Sequence, residues 1–201
     1  MKTQKKLWSA LAALCVATGT VAQPAYNYSK LQKEQLGRGV VAIRENPSDV
    51  VVSWRYLSSD PMNTSFNVYR NGEKIAEIPH STGTFYRDTY SGNEKAVYTV
   101  KPVINGVETG KLNGNYTLPA NAPSGYIDIP LDRPAEGVTP SGQKYTYSPN
   151  DASIGDVDGD GEYEIILKWD PSNAHDNAHD GYTGNVYFDC YRLTGEKTMA
   201  Y

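Results

Sequence analysis

The stretch Asp156-Val157-Asp158-Gly159-Asp160-Gly161-Glu162-Tyr163-Glu164-Ile165-Ile166-Leu167-Lys168-Trp169 changes character halfway along, from acids and glycines to an apolar strand. Side-chain oxygens stand at loop positions 1, 3, 5 and 9, which are Asp156, Asp158, Asp160 and Glu164. Ca2+ is a hard cation that takes roughly six to eight oxygens, and closely spaced carboxylates wrap it only where the backbone turns sharply. Gly159 and Gly161 permit that turn because glycine reaches positive φ at no steric cost. Glu162, at position 7, offers its backbone carbonyl. An EF-hand would need a bidentate Glu at position 12, but Leu167 stands there, inside the strand, so the EF-hand and dockerin arrangements are disfavoured. The spacing predicts a calcium loop that closes at Glu164 and enters a strand over 163–169. Four unpaired acids so close together would repel one another without a cation. Strand alternation puts Glu164, Ile166 and Lys168 on one face and Ile165, Leu167 and Trp169 on the other.

Towards the N-terminus, residues 36–120 read as a small β-sandwich. The segment 50–57, Val50-Val51-Val52-Ser53-Trp54-Arg55-Tyr56-Leu57, is β-branched, aromatic and of strand length. Residues 65–70 alternate apolar and polar, placing Phe66 and Val68 on one face. Asn71-Gly72 then offers the positive-φ pair of a two-residue hairpin, with 73–78 as the return strand. A short strand over 84–88 and a longer one over 96–103 follow, the latter running into a second hairpin signal at Asn105-Gly106. Short strands with turns every ten or so residues are the sandwich pattern, and the segment resembles a fibronectin type III domain with Trp54 in its core and Tyr98 on the penultimate strand. No titratable cluster lies inside it. Asn113-Gly114-Asn115, Pro119 and 120–125 read as a linker, with a boundary at about residue 122.

The first residues read as an address. A basic start with Lys2, Lys5 and Lys6, an apolar run over 7–17 and the small-residue site Thr20-Val21-Ala22 predict a signal peptide over 1–22 and a secreted or periplasmic protein. The chain carries 19 Lys+Arg against 23 Asp+Glu. Without those three lysines the balance is 16 against 23, a net charge of −7. Such a surface repels phosphates and anionic lipid, which argues against nucleic-acid binding. No apolar run approaches the ~20 residues of a membrane span. Past the leader one cysteine remains, Cys190, so no internal disulfide is expected, and Cys190 itself reads as a buried strand residue.

The run from Ser148 to Asn173 resembles the start of the catalytic domain of family 11 polysaccharide lyases, the secreted rhamnogalacturonan lyases. The segments 36–44 (Leu36-Gly37-Arg38-Gly39-Val40-Val41-Ala42-Ile43-Arg44), 66–72 and 181–187 add to the resemblance. It implies an all-β chain: a fibronectin type III-like domain over 36–120, followed over 123–201 by the start of a calcium-rich β-propeller. It also implies a pectic substrate, rhamnogalacturonan, cleaved by β-elimination. About 75 residues follow the linker, enough for the first of a propeller's four-stranded blades. After Gly195-Glu196-Lys197 the family pattern departs, so a truncated propeller is expected, inactive alone and monomeric. A lone blade should leave Ile165, Leu167 and Trp169 exposed.

Within this family frame, Asn150 and Asp170, at the ends of successive strands, are expected to contact sugar. Asp151 is expected to ligate a second calcium, beside the set Asp156, Asp158, Asp160, Glu162 and Glu164. Read without the resemblance, Pro149-Asn150 and Asp170-Pro171 are ordinary turn signals. His175 and His179 lie in a polar Asn/Asp-rich loop and read as solvated. No residue reads as the catalytic base. The alternative is a non-catalytic, calcium-stabilised β-protein or a pectin-binding remnant.

Overall fold

A computed structural model describes residues 35–110 and 113–200, and the leader over 1–22 lies outside the described residues. The first eight strands are β1 (Val41–Asn46), β2 (Asp49–Ser53), β3 (Ser65–Arg70), β4 (Glu73–Ile78), β5 (Phe85–Thr89), β6 (Ala96–Ile104), β7 (Val107–Glu108) and β8 (Gly114–Leu118). They form two antiparallel sheets. One has the order β1-β2-β5; the other has the order β4-β3-β6-β7, with β8 also paired to β6. Both predicted hairpin turns are present. Asn71 and Gly72 take φ of 51° and 85°, and Asn105 and Gly106 take 51° and 79°. In such a turn the strand twist requires positive φ at both central residues, which Asn and Gly tolerate best.

The two sheets share one core. Val40, Ala42, Val50, Val52 and Trp54 face Phe66, Val68, Tyr98, Val100 and Leu118, all buried. The Val, Leu and Phe side chains among them each contribute about 1.5–3 kcal/mol on leaving water. Trp54 packs edge-on against Phe66 at 5.5 Å between ring centroids. Asn67 is buried as well, although alternation would turn it outward, because its amide donates to Glu108 Oε1 at 2.7 Å. Across the core Tyr98 donates its hydroxyl to Asp88 at 2.8 Å, and Arg70 pairs with the same carboxylate at 2.6 Å.

One expectation needs correction here. Residues 113–115 read as linker, yet Gly114 and Asn115 open β8 and pair with Val100 and Thr99 of β6. The Asn/Gly composition misled because the ladder partner is distant in sequence. Glycine is needed for packing: a Cβ on Gly114 would lie 2.5 Å from Val40 Cγ2.

The second half holds a small pair, β9 (Gly137–Val138) with β10 (Lys144–Tyr145). Four strands follow: β11 (Tyr147–Gly155), β12 (Glu164–Pro171), β13 (Tyr187–Tyr191) and β14 (Lys197–Ala200). These four form an antiparallel sheet in chain order. The expected exposure of Leu167 and Trp169 is not found, for they are only 6% and 1% exposed. Tyr147 and Tyr191 pack with them, and Ile129, Tyr145 and Tyr187 close the cluster. The tyrosines and the approach segment around Ile129 cover the face that was expected to be bare. Cys190 is buried in β13 as expected, and burial pushes its thiol pKa up. Among the described residues every regular element is a strand, and none is a helix able to cross a membrane.

Candidate functional site

The acidic loop lies between β11 and β12 and is held by its own carboxylates. Asp156 accepts hydrogen bonds from the amides of Gly159 at 2.8 Å and Gly161 at 3.1 Å. Asp158 accepts from the amide of Asp160, and Asp160 from that of Glu162. Gly159 and Gly161 take φ of 78° and 94°, which carries the chain around the carboxylates. Oxygens of Asp156, Asp158 and Glu164 lie within 4.8 Å of one another. Glu164 is 1% exposed; one oxygen accepts from Val157 N at 2.9 Å, while Oε1 is buried with no hydrogen-bond partner. A converging, all-oxygen donor set with an unpaired buried carboxylate oxygen fits a hard divalent cation.

Not every predicted ligand joins that trio. The Asp160 side chain turns to Arg192, whose guanidinium bridges Asp160 Oδ2 at 2.7 Å and Asp158 Oδ2 at 2.5 Å. The Glu162 amide and then Arg192 hold the Asp160 carboxyl below its usual range. Arg192 thus supplies positive charge to a loop that had read as four unpaired acids, and its distance in sequence concealed it. The Glu162 side chain points away, and its Oε1 accepts from Gly39 N at 3.3 Å. Its backbone carbonyl remains the group available at loop position 7.

A second contact surface binds the loop to the first half of the chain. Gly37 N donates to Gly161 O at 2.5 Å. Arg55 Nη1 donates to Gly37 O at 3.2 Å and to Gly161 O at 3.3 Å, and lies 3.8 Å from Glu162 Oε2. The same guanidinium sits 4.5 Å from the centroid of the Tyr163 ring. Reading the sequence missed this group. The signal available was the pair of glycines flanking Arg38, a spacing that suits close backbone approach.

Asn150 and Asp170 are brought together. The register of β11 on β12 shifts between Pro149 and Ala152, so Asn150 and Asp151 sit in a bulge opposite Lys168. Asn150 Nδ2 donates to Asp170 Oδ2, and Lys168 Nζ pairs with Asp170 Oδ1 at 2.9 Å. The Lys168 ammonium, helped by Asn150, holds the Asp170 carboxyl below its usual range. The strand β11 is exposed over most of its length, so this polar trio lies on an open edge. Asp151 is exposed at the bulge and is not part of the acidic trio. His175 and His179 stand edge-on at 6.3 Å in an exposed loop.

Two sequence-family models match the chain. Residues 31–116 match the description "Rhamnogalacturonan I lyases beta-sheet domain", and residues 126–200 match "Rhamnogalacturonan lyase family 11, C-terminal domain". By sequence the chain belongs to rhamnogalacturonan lyase family 11. It is 43% identical over 201 residues to the rhamnogalacturonan endolyase YesW of Bacillus subtilis (strain 168), covering 98% of this chain and 31% of that protein. To the rhamnogalacturonan exolyase YesX of the same organism it is 47% identical over 166 residues, covering 83% of this chain and 26% of that protein. The crystal structure of YesW superposes with a TM-score of 0.70 at 46% identity, covering 84% of this chain and 28% of that one. A rhamnogalacturonan lyase of Bacillus licheniformis gives 0.68 at 47% identity, with the same two coverages. The chain therefore spans about 30% of the length of these family members.

Proposed function

We propose that the chain contributes the accessory β-domain and the first propeller blade of a secreted, calcium-binding rhamnogalacturonan lyase. The predicted leader is the basis for export. A three-stranded sheet opposed to a larger one, with sequential hairpins, supports the fibronectin type III-like reading of 36–120. A four-stranded antiparallel meander in chain order supports the blade reading of the second half. The acidic loop would hold Ca2+ through Asp156, Asp158, Glu164 and the carbonyl of Glu162, with Asp160 beside it and Asp151 serving a separate ion. Bound there, the cation supplies charge neutralisation and stiffens the turn.

The observation that carries the sugar assignment is the Asn150–Asp170 pair on the exposed bulged edge. An amide and an ionised carboxylate side by side offer a donor and an acceptor, which sugar hydroxyls can bridge. In β-elimination a base removes the proton α to the uronate carboxylate, the bond to the glycosidic oxygen breaks, and that oxygen leaves protonated. Asn150 and Asp170 orient the sugar, with Lys168 keeping Asp170 ionised. The base and the charge that neutralises the substrate carboxylate must surround the same sugar. The described residues provide one side of such a site, which favours non-catalytic sugar binding for this chain on its own.

The test is a titration of the isotopically labelled 201-residue chain with a rhamnogalacturonan oligosaccharide. Amide shifts around the bulge are expected, with affinity on the order of millimolar. Asn150→Ala and Asp170→Ala should each abolish them. In the same solution the ultraviolet absorbance of the unsaturated uronate product should not rise. Unmoved bulge amides would remove the sugar assignment; a rising absorbance would place a complete active site within these residues.

A further inference from the structure

We propose that Gly37, Gly39 and Arg55 are positioning residues for the acidic loop, so that cation binding in the loop and docking of residues 35–39 on it form one coupled equilibrium. The proposal rests on the calcium reading above and extends it to residues that offer the ion no ligand.

The geometry that points to it centres on Gly161. Its amide donates to Asp156 Oδ2, and its carbonyl accepts from Gly37 N and Arg55 Nη1. The peptide joining Gly161 to Glu162 is therefore held at both ends, since its N–H donates to Asp160 Oδ1. Fixing that peptide plane restricts the direction of the next carbonyl, that of Glu162, which is the oxygen assigned to loop position 7. The Glu162 side chain is restrained as well, by Gly39 N and by the Arg55 guanidinium.

A side chain at any of these glycines would have to displace the group it meets, which is backbone at Gly161 and the Glu162 or Arg55 side chain at the other two. A Cβ on Gly161 would lie 2.8 Å from Gly37 N, and one on Gly37 would lie 2.7 Å from Glu162 Oε1. A Cβ on Gly39 would lie 2.5 Å from the central carbon of the Arg55 guanidinium. Gly37, Gly39 and Arg55 thus form a cradle against Gly161 and Glu162 of the loop, while Arg192 pairs with Asp158 and Asp160. A loop already held in its binding geometry loses less conformational freedom when the cation arrives. By linkage, the cation must in return strengthen the docking of residues 35–39.

The experiment uses the 201-residue chain, CaCl2 as titrant, calorimetry for affinity and hydrogen exchange at the Gly37 and Gly39 amides. For the parent chain we expect Ca2+ heat and slower exchange at both amides. Arg55→Met keeps the aliphatic stem and removes the charge and hydrogen bonds; it should weaken Ca2+ binding about tenfold, within the range usual for coupled sites. It should also erase the calcium-dependent protection of both amides. If Arg55→Met fails to give a dispersed amide spectrum, Tyr163→Leu removes only the ring beside the guanidinium and should weaken binding about threefold. Parent-like affinity and parent-like protection in the folded variant would overturn the coupling while leaving the calcium site intact. Absence of Ca2+ heat in the parent chain would overturn both.

Discussion

Glu164 and Glu108 show opposite fates for a carboxylate. Glu164 is buried with one oxygen unpaired, a situation that costs about 1–3 kcal/mol and that a bound cation would relieve. Glu108 is partly exposed but surrounded by donors: the Tyr69 hydroxyl, the Asn67 amide and Lys101 Nζ at 3.1 Å. The Tyr69 hydrogen bond foremost, then Asn67, holds the Glu108 carboxyl down to about 2, against an ordinary 4.5. A depressed carboxyl pKa contributes stability that is present above the unfolded value and lost as pH falls through the folded one. Between pH 4.5 and 2 the parent chain should therefore lose more stability than Glu108→Gln. Urea midpoints measured across that window give the comparison, and parallel curves would show that the cluster contributes nothing. The loss should be modest, since water screens a side chain 31% exposed.

At the scale of elements, the four-stranded sheet of β11 to β14 is tied together by one buried acid. Asp189 of β13, 2% exposed, accepts from Trp169 Nε1 of β12 at 2.7 Å and from the Tyr191 hydroxyl at 3.0 Å. Lys197 at the start of β14 pairs with the same carboxylate at 3.0 Å, and Tyr191 accepts from Asp132 N of the approach segment. Asp189→Ala would leave the indole and hydroxyl donors buried without their acceptor. We expect a loss of about 3 kcal/mol, read from denaturant unfolding followed by circular dichroism. A change below about 1 kcal/mol would mean that water reaches these groups and that the sheet depends on its apolar contacts instead.

At the scale of the molecule, the two halves should answer calcium differently. The core of the first half is drawn from residues 40–118, with Ala122 packed at its margin, and includes no part of the acidic loop. Residues 36–120 alone should give a dispersed amide spectrum and a melting temperature indifferent to CaCl2 or chelator. The 201-residue chain should gain about 2.7 kcal/mol at a hundredfold excess of Ca2+ over Kd, a rise on the order of 5–10 °C. Asp158→Ala should abolish that rise. A calcium-independent melting temperature for the whole chain would exclude the metal from the folded state.

Local chemistry made much of this legible in advance. Asn71-Gly72 and Asn105-Gly106 require positive φ, so the sequence by itself determined two hairpins, and the period-2 apolar pattern over 65–70 determined that Phe66 and Val68 enter the core. Acid and glycine spacing over 156–164 determined a turn lined with carboxylates. Pairings between distant residues were decided only by the tertiary structure, because hydrogen bonds and ion pairs depend on distance in space and leave no period in the chain. Gly114 became strand on meeting β6, and Leu167 and Trp169 became core once Tyr147 and Tyr191 covered them. In the same way Arg192 and Arg55, far along the chain in opposite directions, reached different residues of the acidic loop, Asp158 and Gly161.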